Sequence, residues 1–417
     1  MNQFDRVLSR VLMLALGVPA LLVFTAESRA ANGPLIVDNH SHVVVMEYEA
    51  WFGPNAVTFQ GTAAQPLLHS ADMQPVGGGY DSADPAVIKQ HVAWLEGIGV
   101  DAALIEVTNN VSCIFNSEQF AQKFLPNCTP AFRAGNQSLR DNTGNLYPAW
   151  SELGTPLKLI PMVGGIDQDV LFPDTDGKTA LEKEIEYFGS RMRERPGRNV
   201  IYHGKPLMLI YLGAAQDPNQ ADNPLWFQIR KFLQDHPAIE NQFTFKMMAG
   251  FLDSQPGLWA TLGTPDGPVK VNPAYGFWSW VDRLNPNCTE SLCPYFPSFN
   301  EINGTANARV ENFTASIATA GQNGWRCPNP NTLPYCPDDA LRFGDDHSYA
   351  TFDSFMTYAR RLDPIFLILH QFNEFVPSDE GFDANTDDDV EPANLWGDGA
   401  VNAVWRQIKL YRQRIGQ

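Results

Sequence analysis

Eight short apolar runs, separated by segments with helical spacing, constrain the fold of this chain more than any other feature. A run of about four to eight apolar residues predicts a buried strand, and apolar residues recurring every three to four positions predict an amphipathic helix. Strand–helix units repeated eight times indicate an α/β protein, a (β/α)8 TIM barrel. The predicted strands are residues 43–48, 102–107, 157–163, 206–212, 243–250, 274–280, 308–313 and 365–372. The predicted helices are residues 84–98, 178–195, 224–236 and 351–362, the first with Asp84 as its N-cap.

Long segments between these elements are rich in Pro, Gly, Asn and Cys. Residues 109–147, 253–271 and 321–347 are therefore predicted to be loops over the C-terminal face of the barrel. The chain has six cysteines, and an even number in an exported protein indicates disulfides that staple such loops. The simplest of the possible connectivities joins neighbours in sequence: Cys113–Cys128, Cys288–Cys293 and Cys327–Cys336.

The first 30 residues have the pattern of a secretory signal peptide. Arg6 and Arg10 precede an apolar stretch at residues 11–24, which Pro19 interrupts, and Ser28-Arg29-Ala30 is a small-x-small cleavage site. The stretch is too short and too broken for a membrane span. We therefore expect residues 31–417 to form a single barrel domain that is secreted or periplasmic.

The chain is acidic, with a formal net charge of −18. A negative surface repels nucleic acid and anionic membranes, so neither is an expected partner. Neutral substrates such as sugars remain compatible with it. We expect a monomer that acts on carbohydrate.

Carboxylates cluster after the last apolar run. Asn373-Glu374 ends this run, and Glu380 and Glu391 follow in the next loop. Barrel enzymes assemble acid/base chemistry from groups at the C-terminal ends of strands. Cleavage of a glycosidic bond needs one protonated and one ionised carboxyl, and clustered carboxylates supply that difference by raising one another's pKa. Further candidates at predicted strand ends are Glu106, Asp167, Asp253 and Asp282.

Aromatic residues also lie at the strand ends or in loops. Because aromatic rings pack against the C–H faces of sugars, these residues are candidates for substrate binding. Core packing is the alternative interpretation for each of them. They are Tyr48, Trp51, Trp278, Trp280 and Trp396.

Three sequence blocks carry a resemblance to glycoside hydrolase family 99, the group of the endo-α-mannosidases. Residues 46–54 read M-E-Y-E-A-W-F-G-P, similar to an aromatic block of that group. Residues 80–107 resemble its D-P-x-x-I helix and second strand. F-N-E-F-V-P-S-D-E-G followed by V-E-P is similar to the family's N-E-W-x-E-G-T-x-I-E-P.

The resemblance implies a (β/α)8 barrel and an α-glycosidase activity without a cofactor. Glu374 matches the family's first glutamate, which acts as base on the sugar 2-hydroxyl. Glu380 matches the second, the acid and then base at the glycosidic oxygen, although three additional residues precede it here. Asp282 is the alternative acid. Asn373 and Glu391, the latter matching the glutamate before Pro, are expected to bind substrate.

Two other functions remain open at this point. Asp38-x-His40-x-His42 is similar to the motif of metal-dependent amidohydrolases, which requires histidines at further strand ends as well. A catalytically inert barrel that binds carbohydrate would keep the aromatic residues but misplace the acids. No metal site is predicted, because the acidic run at residues 383–394 lacks the glycine and the final glutamate of a calcium loop.

Overall fold

A computed structural model describes eleven segments of the chain. They are residues 33–53, 80–165, 168–211, 225–249, 277–279, 284–285, 293–294, 311–317, 349–373, 389–392 and 397–416. The signal peptide predicted at residues 1–30 and the loops predicted at 253–271 and 321–347 lie outside these segments.

A largely parallel sheet is the centre of the molecule, and its strands match the eight predicted runs. The strands of the described segments are β1 (Leu35–Val37), β2 (Val43–Tyr48), β3 (Ala102–Glu106), β4 (Lys158–Gly164), β5 (Val200–Tyr202), β6 (Lys205–Tyr211), β7 (Thr244–Ala249), β8 (Phe277–Ser279), β9 (Leu284–Asn285), β10 (Cys293–Pro294), β11 (Asn312–Ser316) and β12 (Phe366–His370). Strands β2, β3, β4, β6, β7 and β8 pair in succession, all parallel. Strand β11 pairs with β12, and β12 returns to pair with β2.

The order of these eight parallel strands is that of the chain, and the last strand lies beside the first. Backbone hydrogen bonds join each strand to its neighbour in this order, except between β8 and β11. The described segments contain no strand pairing between those two. The α/β class is therefore confirmed. Outside the series, β1 pairs with β5, and β5 pairs antiparallel with the start of β6.

Two sets of side chains alternate along the strands. Val43, Val45, Ala102 and Leu104 form a cluster with other strand residues, and no described helix contributes to it. We call the side of the sheet that carries this cluster the inner face. The intervening residues, such as Met46, pack against the helices on the outer face.

Strand β11 begins four residues after the predicted start of the seventh strand. Its inner positions are polar, namely Asn312, Thr314 and Ser316, and all three are buried. Only Phe313 and Ala315 carry apolar character within the strand. The apolar pattern of the sequence is consequently weak here, and this explains the misplaced boundary.

Helices cover the outer face, and local sequence signals set several of their ends. They are α1 (Pro85–Ile98), α2 (Val111–Phe115), α3 (Glu118–Phe124), α4 (Pro130–Leu153), α5 (Ala180–Glu194), α6 (Leu225–Asp235), α7 (Pro237–Glu240), α8 (Ala350–Leu362) and α9 (Gly399–Arg414). The four predicted helices correspond to α1, α5, α6 and α8. Asp84 caps α1 as predicted, accepting a hydrogen bond from the Ala86 backbone N–H at 2.8 Å. Among the described residues, no helix combines the length and the apolar character needed to cross a membrane.

The loop predicted at residues 109–147 is instead helical, and this prediction was wrong. The side chains of Ser117 and Thr129 cap α3 and α4 by accepting from Phe120 N and Phe132 N, each at 3.2 Å. These caps satisfy backbone donors that would otherwise face water, and Pro130 adds a favourable first helical position. The predicted Cys113–Cys128 disulfide joins α2 to the segment after α3 and is confirmed. The other two predicted disulfides include cysteines outside the described segments.

Candidate active site

The inner face of the sheet ends in ionisable side chains at the C-terminal ends of the strands. Glu47 of β2, Glu106 of β3 and His370 of β12 occupy successive inner positions there, and each is at most 3% exposed. Glu47 Oε2 and His370 Nδ1 form a hydrogen bond, although 323 residues separate them in sequence. The same alternation that places Val43 and Val45 inside therefore brings two ionisable groups together at the C-terminal ends of the strands.

The pKa of Glu106 differs from that of an exposed carboxyl. Burial raises the pKa of Glu106 from its ordinary 4.5 to about 7, and the nearby charge of Glu47 adds to the rise. Hydrogen bonds from Glu49 and Thr108 and the charge of His370 oppose it. At neutral pH Glu106 therefore exists in both protonation states, as a general acid or base requires.

A second buried carboxyl lies close to Glu106. Glu184 extends from α5, and its Oε2 accepts from the Gly164 backbone N–H at 2.8 Å. Burial raises the pKa of Glu184 well above its usual value, and the charge of Glu106 adds to the rise. The ionised form of Glu106 therefore disfavours the ionised form of Glu184.

Asn373 fixes the chain just before the predicted base. Its Oδ1 accepts from Glu49 N at 2.8 Å, and its Nδ2 donates to Glu49 O at 2.9 Å and to Tyr80 Oη at 3.0 Å. The carboxamide thus pairs with both backbone groups of one residue beyond β2. This pairing locks the exit of β12 to the exit of β2. Glu374 follows directly but lies outside the described segments.

Glu391 belongs to a buried hydrogen-bond network. Tyr80 Oη donates to its Oε2 at 2.8 Å, and His91 Nε2 lies 3.3 Å from its Oε1. The other ring nitrogen of His91 bonds the Tyr48 hydroxyl at 2.8 Å. Glu391, His91 and Tyr48 are almost entirely buried and Tyr80 is partly buried, so this network holds residues 389–392 against the outer face. Binding of substrate by Glu391 stays a prediction that this burial does not favour.

The three described aromatic candidates are packed inside the protein. Tyr48 stacks on Phe372 at a centroid distance of 5.9 Å, and Trp51 packs against Leu139. Trp278 packs on Phe366 at 4.7 Å and donates to Glu311 at 3.2 Å, near the N-terminal ends of the strands. Their role in substrate binding is still a prediction. Glu380, Asp282, Trp280 and Trp396 lie outside the described segments, as do Asp167 and Asp253.

Glu106 was among the candidates that the sequence indicated, whereas Glu47, Glu49, Glu184 and His370 were not. A signal for three of them exists in the strands: Glu47 and His370 continue the inner positions of β2 and β12, and Glu49 follows two residues after Glu47. A charged residue at an inner position of a buried strand is unusual unless it is paired or functional. Glu184 has no comparable signal, since it lies within an ordinary amphipathic helix.

The amidohydrolase motif lies at the opposite end of the sheet. His40 and His42 precede β2, and Asp38 accepts from the His40 backbone N–H at 2.9 Å. His42 Nε2 bonds Asp363 Oδ1 at 2.8 Å, beside the N-terminal end of β12. Although β1 does precede the motif, it is an edge strand beside β5 and not one of the eight parallel strands. The alternative assignment therefore fails on position.

The chain is similar to a solved GH99 endo-α-mannosidase from Bacteroides thetaiotaomicron. That structure matches with a TM-score of 0.48 and 14% identity, over 91% of this chain and 99% of the other. A glycoside hydrolase-like protein matches with a TM-score of 0.45 and 14% identity, over 91% and 98%. A GH138 enzyme targeting pectin rhamnogalacturonan II matches with a TM-score of 0.34 and 10% identity, over 91% and 40%.

GH99 structures are thus among those that this chain resembles, as the three motif blocks predicted. No family model matches the sequence, and no curated protein is similar to it. Similarity at these identities concerns the fold, and one fold supports many activities. The function must therefore be argued from the residues of the site.

Proposed function

We propose that the chain is a secreted glycoside hydrolase that cleaves an α-linked polysaccharide or glycan, as an endo-α-mannosidase does. The observation that carries this proposal is the layer of buried carboxyls at the C-terminal ends of the strands. Burial raises the pKa of Glu106 to about 7 and the pKa of Glu184 well above its usual value, while Glu47 is paired with His370. Protonated and ionised carboxyls side by side are what glycoside cleavage needs.

In this proposal Glu374 acts as the base and Glu380 as the acid, with Asp282 as the alternative acid. The clamp between Asn373 and Glu49 supports the first assignment, because it fixes the residue before Glu374 beside the carboxyl layer. The same proposal assigns substrate binding to four aromatic residues, Tyr48, Trp51, Trp280 and Trp396. It also describes the enzyme as a monomer whose binding partner is a sugar.

We further propose that the eight parallel strands close into a (β/α)8 barrel. The pairing of β12 with β2 supports closure at the ends of the series. Glu311, directly before β11, accepts from Trp278 of β8, and this contact supports closure at the gap between β8 and β11. A closed barrel would direct all the C-terminal strand ends toward one centre.

Replacing Glu374 with Gln tests the proposal, because it keeps the shape of the side chain and removes the ionisable group. We expect turnover of an α-linked manno-oligosaccharide to fall by about 10²- to 10⁴-fold, the usual contribution of an acid or base. Glu152→Gln, an exposed carboxyl on α4, is the matched control and should retain activity. Full activity in Glu374→Gln would refute the assignment of the base.

Glu380→Gln distinguishes the two candidate acids. If Glu380 protonates the leaving group, its loss should lower the cleavage rate of glycosides with poor leaving groups far more than that of activated aryl glycosides. An activated aryl group departs without proton assistance. If Glu380→Gln cleaves both substrate types as fast as the wild type does, the acid lies elsewhere, and Asp282 or Asp253 becomes the next candidate. A wild-type protein that binds glycans but turns over none in a broad α- and β-linked panel would support the inert barrel instead.

A further inference from the structure

A cavity of about 350 Å³ opens beside the carboxyl layer, and every residue that lines it is described. Thr108 and Gly165, just beyond β3 and β4, form one wall, and the Cys113–Cys128 disulfide forms another. The volume falls at the lower end of the range of about 300 to 1,000 Å³ for ligand sites and is roughly ten times the ~30 Å³ of one water molecule. The cavity has room for one small ring.

The cavity is connected directly to the candidate active site. Thr108 lines it, and the Thr108 hydroxyl donates a hydrogen bond to Glu106 Oε2. One side chain therefore separates the cavity from the carboxyl layer. The cavity also reaches the surface, because Phe124 is 47% exposed and Asn127 is exposed at its rim. A chain-like ligand could extend from the rim toward the strand ends.

Ser112 indicates that the cavity is built for a polar ligand. It lines the cavity, is 2% exposed, and its hydroxyl has no hydrogen-bond partner in the described part of the chain. An unpaired buried hydroxyl is costly, and a residue such as alanine would avoid that cost. The hydroxyl of an incoming ligand would satisfy it.

The rest of the lining indicates the class of ligand. The lining residues include three with hydroxyl or carboxamide side chains, Thr108, Ser112 and Asn127, and two with aromatic rings, Phe124 and Phe132. Asp169 is the one charged residue among the lining residues, so the cavity disfavours anions. Convergent polar groups beside aromatic rings suit a neutral, polyhydroxylated ring.

We propose that this cavity is a subsite that binds one neutral sugar ring of a longer substrate. This inference rests on the proposed glycosidase function. It adds the place where the enzyme holds a sugar unit that is remote from the cleaved bond. Helix α2 and the disulfide fix the wall of the subsite. The hydrogen bond from Thr108 to Glu106 connects the subsite to the carboxyl layer.

The test measures binding of an α-linked mannotetraose by isothermal titration calorimetry, in the Glu374→Gln background. Asn127→Trp places a large ring at the rim and should raise Kd about tenfold or more. Gln122→Trp is the matched control, because Gln122 is an exposed residue of α3 that does not line the cavity, and it should leave Kd unchanged. Ser112→Ala should raise Kd about three- to tenfold, the loss of one hydrogen bond, without lowering the melting temperature of the ligand-free protein.

The outcomes separate the subsite from the proposed function. Equal Kd values for Asn127→Trp and Gln122→Trp overturn the subsite, while turnover by the wild type would leave the glycosidase proposal standing. Loss of binding in Asn127→Trp alone supports the subsite even if the wild type cleaves no glycan. Absence of any tetraose binding overturns the inference. If Ser112→Ala lowers the melting temperature and leaves Kd unchanged, Ser112 serves the fold and the result counts against the subsite.

Discussion

At the scale of single residues, burial and partners decide how each carboxyl binds its proton. Burial also raises the pKa of Asp174, but hydrogen bonds from Lys183 at 2.5 Å and from Ser117 outweigh it, and the pKa falls below its usual value. For Glu106, the hydrogen bonds from Glu49 and Thr108 and the charge of His370 do not outweigh burial, so its pKa rises. The pKa values of these two buried carboxyls are thus shifted in opposite directions. Of the two, Glu106 is the one that lies at the C-terminal end of a strand.

The raised pKa of Glu106 predicts a pH-dependent effect on stability. A folded-state pKa of about 7 against an ordinary 4.5 means that the folded state holds the proton more tightly. This stabilising contribution is complete below pH 4.5 and is lost as the pH rises toward 7, a change of roughly 3 kcal/mol. Glu106→Gln should therefore match the wild type at about pH 4 and be the more stable protein at about pH 8, as measured by urea unfolding. Glu152→Gln should follow the wild type at both values, and a Glu106→Gln difference that is independent of pH would contradict the shift.

At the scale of elements, short polar side chains set where the helices begin. Asp84, Ser117, Thr129 and Thr179 each accept from a backbone N–H in the first turn of α1, α3, α4 and α5. Helix α1 is also the element that carries His91, which contacts Glu391 and Tyr48. The start of α1 consequently affects how the network around Glu391 is held.

Loss of the cap on α1 should destabilise the protein by a modest and measurable amount. Asp84→Ala removes the acceptor for Ala86 N and should lower the free energy of unfolding by about 1 kcal/mol. Asp84→Asn retains a good capping group and should differ from the wild type by a few tenths of a kcal/mol at most. Urea unfolding of the three proteins measures both differences. Equal destabilisation by Ala and Asn would show that charge, and not capping, determines the effect.

At the scale of the whole molecule, the inner face is polar at both ends and, except at β11, apolar between them. Near the N-terminal ends of the strands, Glu311 accepts from Tyr202 Oη at 2.8 Å, Lys246 Nζ at 2.7 Å and Trp278 Nε1 at 3.2 Å. These partners come from β5, β7 and β8, while Glu311 precedes β11. One carboxylate therefore joins distant parts of the chain at the side where strand pairing is interrupted.

Glu311→Gln should be strongly destabilising, because it removes the carboxylate that lies 2.7 Å from Nζ of Lys246, a residue that is 1% exposed. Breaking a buried ion pair on one side typically costs about 3 to 5 kcal/mol. The double variant Lys246→Met/Glu311→Leu removes both charges and should recover much of this loss. Asp235→Asn, which breaks the exposed pair with Lys231, is the control and should change stability little. Urea denaturation of all four proteins provides the comparison, and a Glu311→Gln variant as stable as Asp235→Asn would show that the network does not support the fold.

The sequence by itself determined many of the local elements, although the helices within residues 109–147 were predicted as a loop. Apolar periodicity located eight strands and four helices, Asp84 marked the start of α1, and the spacing of Cys113 and Cys128 indicated their disulfide. These features depend on residues within one or two turns or along one strand, so a linear pattern is sufficient to detect them. Where that pattern was diluted, as at the polar inner positions of β11, the predicted boundary moved.

Only the tertiary structure decided which side chains meet. Glu47 and His370 come together because β2 and β12, at opposite ends of the series, are neighbours in the sheet with a fixed register. Glu184 approaches Glu106 because α5 packs its buried face beside the end of β4. The protonation of Glu106 follows from these contacts and from burial, which no neighbour in sequence specifies. Position along the chain says that a carboxyl is present, whereas its surroundings in three dimensions determine what it does.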